Sequence, residues 1–119
     1  MASRFTELII DCADPERAAA FWEAALGWER RLDTQGDVEL VGPPGSGPSL
    51  LFQRVPEPKT LKNRLHIDLN PVGCEQSEEV ERLLRLGARR VDIGQGVQTW
   101  EVLADPEGNE FCVLRTRVG

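Results

Sequence analysis

Glu7-Leu8-Ile9-Ile10-Asp11-Cys12 is an extended run that leads into a helix, and about 59 residues later His66-Ile67-Asp68-Leu69-Asn70-Pro71 opens in the same way. Outward from these two stretches, each helix closes on Leu-Gly and a basic pair. The first copy has Leu26-Gly27-Trp28-Glu29-Arg30-Arg31 and the second Leu86-Gly87-Ala88-Arg89-Arg90. The same offset lays Phe52-Gln53 onto Phe111-Cys112. A likeness repeated in opening strands, helix ends and closing strands indicates two copies of one supersecondary unit, because a solenoid needs at least three repeats. A two-copy chain is expected to place a shared cleft between its halves, and function is sought there.

Within the first copy, Glu7, Ile9 and Asp11 alternate with Leu8, Ile10 and Cys12, the period of a strand. Asp14-Pro15 then starts a helix: Asp caps the free amides, and Pro sits where no amide hydrogen is needed. Its apolar stripe is Ala18, Phe21, Trp22 and Ala25, and Gly27 suits the left-handed residue that ends it. Strands are expected over 28–31, 38–41 and 50–55, with the Gly/Pro-rich stretch 42–49 as a turn. Residues 56–63 read as the linker.

The second copy alternates Leu65, Ile67 and Leu69 with His66, Asp68 and Asn70. Ser77 is the expected cap of a helix whose stripe is Val80, Leu83 and Leu84. Strands are expected over 90–93, 99–104 and 110–115, with Asp105-Pro106-Glu107-Gly108-Asn109 as a hairpin turn. The order is β-α-β-β-β, twice. This predicts an α+β fold: two units, about 4–55 and 64–116, forming curved sheets around a cleft within a single domain, 1–119. Leu8/Ile10 and Leu65/Ile67/Leu69 are the faces for helices to cover. Glu7/Asp11 and His66/Asp68/Asn70 lie on the opposite faces, where polar side chains call for a wet pocket rather than a dry core.

Composition narrows the function classes. With 119 residues there is room for one domain with a real core. A hydrophobic fraction of 40% and a charged fraction of 29% are globular rather than disordered. The net charge of −6 and the lack of a basic patch argue against nucleic acid as a partner. No apolar stretch is long enough for a bilayer, so no membrane partner is expected. The residues ahead of the first strand leave no room for a signal peptide. Cys12, Cys74 and Cys112 are odd in number and lack CxxC spacing, which argues against a disulfide framework or a Cys-rich zinc module. The chain reads as cytoplasmic.

These residues carry a family resemblance. The paired units, the Phe21-Trp22 helix closing on Leu26-Gly27, the Leu65-His66-Ile67 strand and Asp105-Pro106-Glu107-Gly108-Asn109-Glu110-Phe111 together resemble the vicinal oxygen chelate superfamily. That group includes glyoxalase I, extradiol dioxygenases, fosfomycin-resistance enzymes and bleomycin-binding proteins. The chain is most similar to its small bacterial glyoxalase-like domain proteins, over essentially its whole length. The turn motif is a marker of fold, not of function.

The resemblance implies metal ligands on the first and fourth strands of each unit, in glyoxalase I His or Gln, Glu, His and Glu. Carried over, His66 matches the first-strand histidine of the second unit, and Glu7 stands at the first-strand position of the first. Gln53 takes the first unit's fourth-strand position, and Cys112 falls where the second unit's glutamate would be. The last is a clear departure, since glyoxalase chemistry uses carboxylates on its metal. A dioxygenase needs two His and a carboxylate, and the chain has one His.

Each candidate has two readings. His66 reads as a metal ligand, a general base or a pocket wall, and equally as a satisfied histidine on a half-buried strand. Asp68 holds its tautomer or is simply solvated. Glu7 completes a metal site, pairs with His66 as acid and base, or forms a salt bridge. Cys112 reads as a small buried hydrophobe, a nucleophile or, with His66 and Glu7, a zinc thiolate, and nothing in the sequence supplies a helix N-terminus or adjacent cation to lower its pKa. Gln53 is a polar pocket residue. Trp28 and Trp100 are expected on strands, Trp100 being preferred as an aromatic wall for a flat ligand. The basic pairs read as structural or solvated, and the acidic run 75–81 as helix-start electrostatics.

The expected function is small-molecule binding, with Glu7, Gln53, His66, Asp68, Trp100 and Cys112 lining the site and Glu7 and His66 as candidate catalytic groups. The alternative is a glyoxalase-type lyase or isomerase with one divalent metal on Glu7, Gln53 and His66. The cofactor is thus either none or one such ion. The resemblance also implies a homodimer.

Overall fold

A computed structural model describes residues 2–32 and 36–119. The chain forms two compact units, Met1–Pro58 and Lys59–Gly119, divided inside the expected linker. The first contains β1 (Glu7–Cys12), α1 (Pro15–Leu26), β2 (Glu29–Leu32), β3 (Val38–Val41) and β4 (Ser49–Arg54). The second contains β5 (Asp68–Leu69), α2 (Gln76–Leu86), β6 (Arg89–Arg90), β7 (Glu101–Ala104) and β8 (Glu110–Val113). The βαβββ order occurs twice, as the sequence predicts. The sheets run β1-β4-β3-β2 and β5-β8-β7-β6. In each, the opening strand lies parallel to the closing strand and the other pairings are antiparallel.

Local chemistry explains the helix ends. Asp14 accepts a hydrogen bond from the Arg17 amide at 3.2 Å, Pro15 follows it, and Gly27 closes α1 at φ 69°. The second helix departs from expectation: Glu75, not Ser77, is its cap. The Glu75 amide donates to Glu78 Oε1 at 3.1 Å in a capping box, so the cap lies two residues before the expected one. The acidic run thereby serves amides that the helix itself leaves unpaired.

Each helix covers one face of its own sheet. Ala18, Phe21 and Trp22 are buried with Val38, Leu40, Leu50 and Phe52 in the first unit, where α1 packs on β3 and β4. Phe21 and Trp22 meet edge to face, with ring centroids 5.2 Å apart. In the second unit α2 packs on β8, and Val80, Leu83, Leu103, Phe111 and Val113 are buried. Leu65 does not join them. It is 82% exposed, because the β5 ladder begins only at Asp68 and the preceding residues follow a separate path.

Neither Trp28 nor Trp100, both expected on strands, lies on one. Trp28 precedes β2 and packs over Gly42, where a Cβ would fall 2.6 Å from its Cε2. Trp100 precedes β7 because residues 91–100 are a loop held by its own side chains. Asp92 accepts from the Gly94 amide at 2.8 Å, and Gln95 accepts from the Ile93 amide at 2.9 Å. The turn after β7 is built on Asp105, fully buried, whose Oδ1 accepts from the amides of Glu107 and Asn109, both at 2.9 Å. Gly108 there takes φ 88°, which only glycine adopts cheaply.

One arginine of each basic pair serves structure. Arg30 on β2 bridges Glu16 and Glu23 of α1, and these hydrogen bonds push its pKa up. Arg90 on β6 reaches Glu81 of α2 at 3.6 Å and Glu101 of β7 at 3.3 Å. Each ties a second strand to its own helix.

Candidate functional site

In the second unit β5 lies parallel to β8, with Asp68 opposite Cys112. The Cys112 amide donates to the Ile67 carbonyl at 3.0 Å, and the Leu114 amide to that of Leu69 at 2.7 Å. Alternation then puts the side chains of Asp68 and Cys112 on one face and those of Leu69 and Val113 on the other. His66 precedes Asp68 by two residues, and its Nε2 lies 3.1 Å from Asp68 Oδ1. One donor atom from each of His66, Asp68 and Cys112 lies within 4.8 Å of the other two. His66 and Asp68 are half-exposed, at 46% and 49% of their side chains, whereas Cys112 is 5% exposed. The result is an open polar pair beside a buried thiol.

Electrostatics set the state of that thiol. Burial pushes the Cys112 pKa up, the nearby Asp68 carboxylate pushes it further, and Lys62 opposes them. At neutral pH the sulfur is therefore held as S–H.

A strap borders the cluster. Lys59 Nζ reaches Glu110 Oε1 at 3.0 Å, the Asn63 amide donates to Glu110 Oε2 at 3.3 Å, and Asn63 Nδ2 donates to Asn109 Oδ1 at 3.1 Å. Burial alone would raise the Glu110 pKa, but Lys59 and the two backbone amides outweigh it and hold the carboxylate below its usual range. Glu110 stands two residues before Cys112 on β8, so pinning 59–63 there keeps Lys62 in the neighbourhood of the thiol.

The first unit presents a different set on the corresponding face. Gln53 is opposite Asp11, and Glu7 is opposite Ser49. Glu7 and Asp11 are four residues apart, about 13 Å at ~3.3 Å per residue, so Glu7 and Gln53 stand at opposite ends of the ladder. Two residues before Asp11, where the second unit has His66, is Ile9. The ladders therefore match Ile10-Asp11 to Ile67-Asp68, an offset of 57, while Gln53 and Cys112 keep the offset of 59. The alignment of Glu7 with His66 does not follow the strand register, because the segments between opening and closing strands differ in length by two residues.

The structure thus brings His66, Asp68 and Cys112 together. Glu7 and Gln53 belong to the first unit, and Trp100 lies just ahead of β7 with 38% of its surface exposed. Asp68 was readable as a tautomer-holding neighbour but not as a donor in its own right. The signal for it is the His-x-Asp spacing on one strand face, reinforced by the duplicated Ile-Asp pair. As a donor set, one imidazole, one carboxylate and one sulfur suit zinc better than magnesium or manganese, which prefer oxygen. Their mutual distances fit a single ion once the thiol has lost its proton.

A family model described as a glyoxalase-like domain matches residues 7–114. Among solved structures, the genomically encoded fosfomycin resistance protein FosX from Listeria monocytogenes is similar, with a TM-score of 0.71 at 15% identity, covering 98% of this chain and 93% of that one. A variant of that protein complexed with Mn(II) and 1S,2S-dihydroxypropylphosphonic acid gives 0.68 at 13% identity, covering 96% and 90%. A glyoxalase/bleomycin resistance protein/dioxygenase family enzyme from Burkholderia phytofirmans PsJN gives 0.68 at 16% identity, covering 93% and 97%. At these identities the likeness is one of fold. No curated protein matches the sequence.

Proposed function

The chain belongs to the glyoxalase-like domain family, and from that premise we propose that it binds a small polar molecule at the His66–Asp68–Cys112 face of its second unit. One observation carries this reading: a half-exposed imidazole–carboxylate pair, its Asp68 opposite Cys112 in the ladder, stands beside that buried thiol. With Nε2–H donating to Asp68, His66 Nδ1 is left as an acceptor, and the second Asp68 oxygen is another. A ligand carrying hydroxyl or amide donors satisfies both. Trp100, in the same unit, is proposed as a flat wall, while Glu7, Asp11 and Gln53 give the first unit a polar face of its own. Homodimer assembly follows the superfamily resemblance and is checked by sedimentation equilibrium. Three free cysteines suit a reducing compartment such as the cytoplasm.

The test is a nuclear magnetic resonance titration of the His66 imidazole, the only one in the chain, with a set of small hydroxy and amide compounds. Binding shifts its signals, and the shifts of other site signals vanish in His66→Ala. Signals that stay put across the whole set overturn the reading.

A second reading is favoured by the convergence of three donors. His66, Asp68 and Cys112 would hold one zinc ion, and the structural neighbour FosX is known in complex with Mn(II). Such an ion would supply Lewis-acid polarisation of a substrate oxygen, while His66 and Asp68 orient the ligand and Cys112 gives up its proton. Metal analysis of protein purified without added metal separates the readings. Stoichiometric zinc that is lost in Cys112→Ser supports the second; none in either protein supports the first.

A further inference from the structure

Resting on the small-molecule reading, we propose that residues 114–118 form a clasp whose closure holds the His66–Asp68 pair in its binding geometry, with Asn70 as the positioning residue that latches the clasp to the strand. The two units differ in how their opening strands are secured. In the first, β1 and β4 pair over six residues, whereas in the second β5 and β8 pair over two. The ladder between β5 and β8 stops at Pro71, which has no N–H to donate. Beyond β8 other bonds take its place. Asn70 Nδ2 donates to the Thr116 carbonyl at 2.8 Å, the Val118 amide to that of Pro71 at 2.8 Å, and the Gly73 amide to that of Val118 at 3.3 Å. Val72 and Val118 form a parallel bridge, and Arg117 Nη1 reaches Glu75 Oε1 at 3.1 Å. Residues 114–118 thus run beside 69–73 in the same sense as β8 beside β5.

Exposure decides how these bonds behave. Phe111, Cys112 and Val113 are buried on β8, whereas Arg115, Thr116, Arg117 and Val118 are exposed, as are Val72 and Gly73 on the facing segment. Pro71 is the buried anchor between them. A segment held by solvent-exposed hydrogen bonds and few buried apolar contacts opens at a lower cost than the core. The clasp therefore opens while α2 and the β7–β8 pairing stay folded.

Opening removes the support that follows Asp68 directly. Asn70 lies two residues after Asp68, and its bond to Thr116 fixes one end of the run 66–70 that carries both His66 and Asp68. With that end released, the two-residue β5 alone holds the 3.1 Å contact between His66 Nε2 and Asp68 Oδ1. A compound that needs the pair in place favours the closed clasp, and the closed clasp favours the compound by the same factor.

The experiment uses the full chain, with amide hydrogen exchange and the ring-nitrogen signals of neutral His66 read by nuclear magnetic resonance. The Val118 and Gly73 amides should exchange well ahead of amides within the β7–β8 pairing, which report global unfolding. Asn70→Ala should speed their exchange about 5-fold, the worth of one hydrogen bond. It should also narrow the separation of the two His66 ring-nitrogen signals, as the Nε2–H tautomer held by Asp68 gives way to a mixture. Arg117→Glu, which repels Glu75, should act in the same direction by about 2-fold, and it carries the test where Asn70→Ala lowers global stability. Arg115→Gln should change neither readout, since its side chain makes no hydrogen bond or ion pair among the described residues. Glycolamide, which offers hydroxyl and amide donors, should slow Val118 exchange as it shifts the His66 signals. Val118 and Gly73 exchanging no faster than the β7–β8 amides, His66 ring signals indifferent to a loosened clasp, or bound glycolamide without effect on Val118 would each overturn the proposal. If no compound moves the His66 signals while Asn70→Ala still does, the binding reading fails and the coupling of clasp to pair stands.

Discussion

The two units share one plan and differ in what they display. In the first, Asp11 faces Gln53 across parallel strands and Ile9 precedes it on the same face. In the second, Asp68 faces Cys112 and His66 takes the place of Ile9. The aspartate is common to both, so it is the histidine and the thiol that make the second unit chemically distinct. Ile9 is 47% exposed, an apolar side chain where its counterpart carries an imidazole. Duplicated backbone geometry therefore constrains where side chains can meet, and single substitutions decide whether the meeting has any chemistry.

The largest expected effect tests whether the units are equally supported. Phe52 and Phe111 occupy matching places on β4 and β8 and are buried at 0% and 1% exposure. Phe52→Ala and Phe111→Ala should each cost about 3–5 kcal/mol in urea unfolding, through lost burial and the cavity left behind. A much smaller loss in one would break the equivalence. Next comes Asp105, which has a buried turn role in the second unit only among the described residues. Asp105→Ala leaves the amides of Glu107 and Asn109 without their acceptor and should cost about 1–3 kcal/mol by the same measurement.

The strap distinguishes the units by pH. Glu110 has a folded pKa held below its ordinary value, whereas the unfolded chain restores that value. Its contribution is therefore complete above the unfolded pKa of about 4.3 and is lost as pH falls through the folded one. Urea midpoints of wild type should fall more steeply on acidification than those of Glu110→Gln; parallel curves would refute the assignment. Smaller again is His66→Ala, expected to change stability by no more than about 0.5 kcal/mol at a half-exposed position, while ligand-induced shifts at the site disappear. The smallest effect sharpens the comparison most. Ile9→His should rebuild an imidazole–carboxylate pair with Asp11, leaving stability within about 0.5 kcal/mol and raising the new imidazole pKa above about 6.5. An unshifted proton titration would show that the two opening strands are not equivalent after all.

Much of the site was legible because strands alternate strictly. His66, Asp68 and Asn70 could be assigned to one face from spacing alone, and Cys112 could be counted from the Asp105 turn. Less legible was the register. An ungapped offset paired Glu7 with His66, although the Ile-Asp pair shared by both strands pointed two residues further on. Ser77 looked like the better cap because serine is the commoner one, but Glu75 and Glu78 satisfy each other's ends of the helix. Trp28 and Trp100 read as strand residues, since aromatic residues favour strands; side-chain hydrogen bonds in the 91–100 loop and packing over Gly42 overrule that preference.

By itself the sequence determined the twice-repeated βαβββ order, the helix boundaries marked by Asp14, Gly27 and Gly87, and the identity of every polar residue available for chemistry. Those follow from local rules: periodicity, caps and turns that operate within a few residues. Only the tertiary structure decided that Asp68 pairs with Cys112, that His66 closes on Asp68 and that Ile9 takes the matching place in the other unit. Strand register joins residues some 40 positions apart and is set by which hydrophobic faces are buried together, a choice that no local pattern contains.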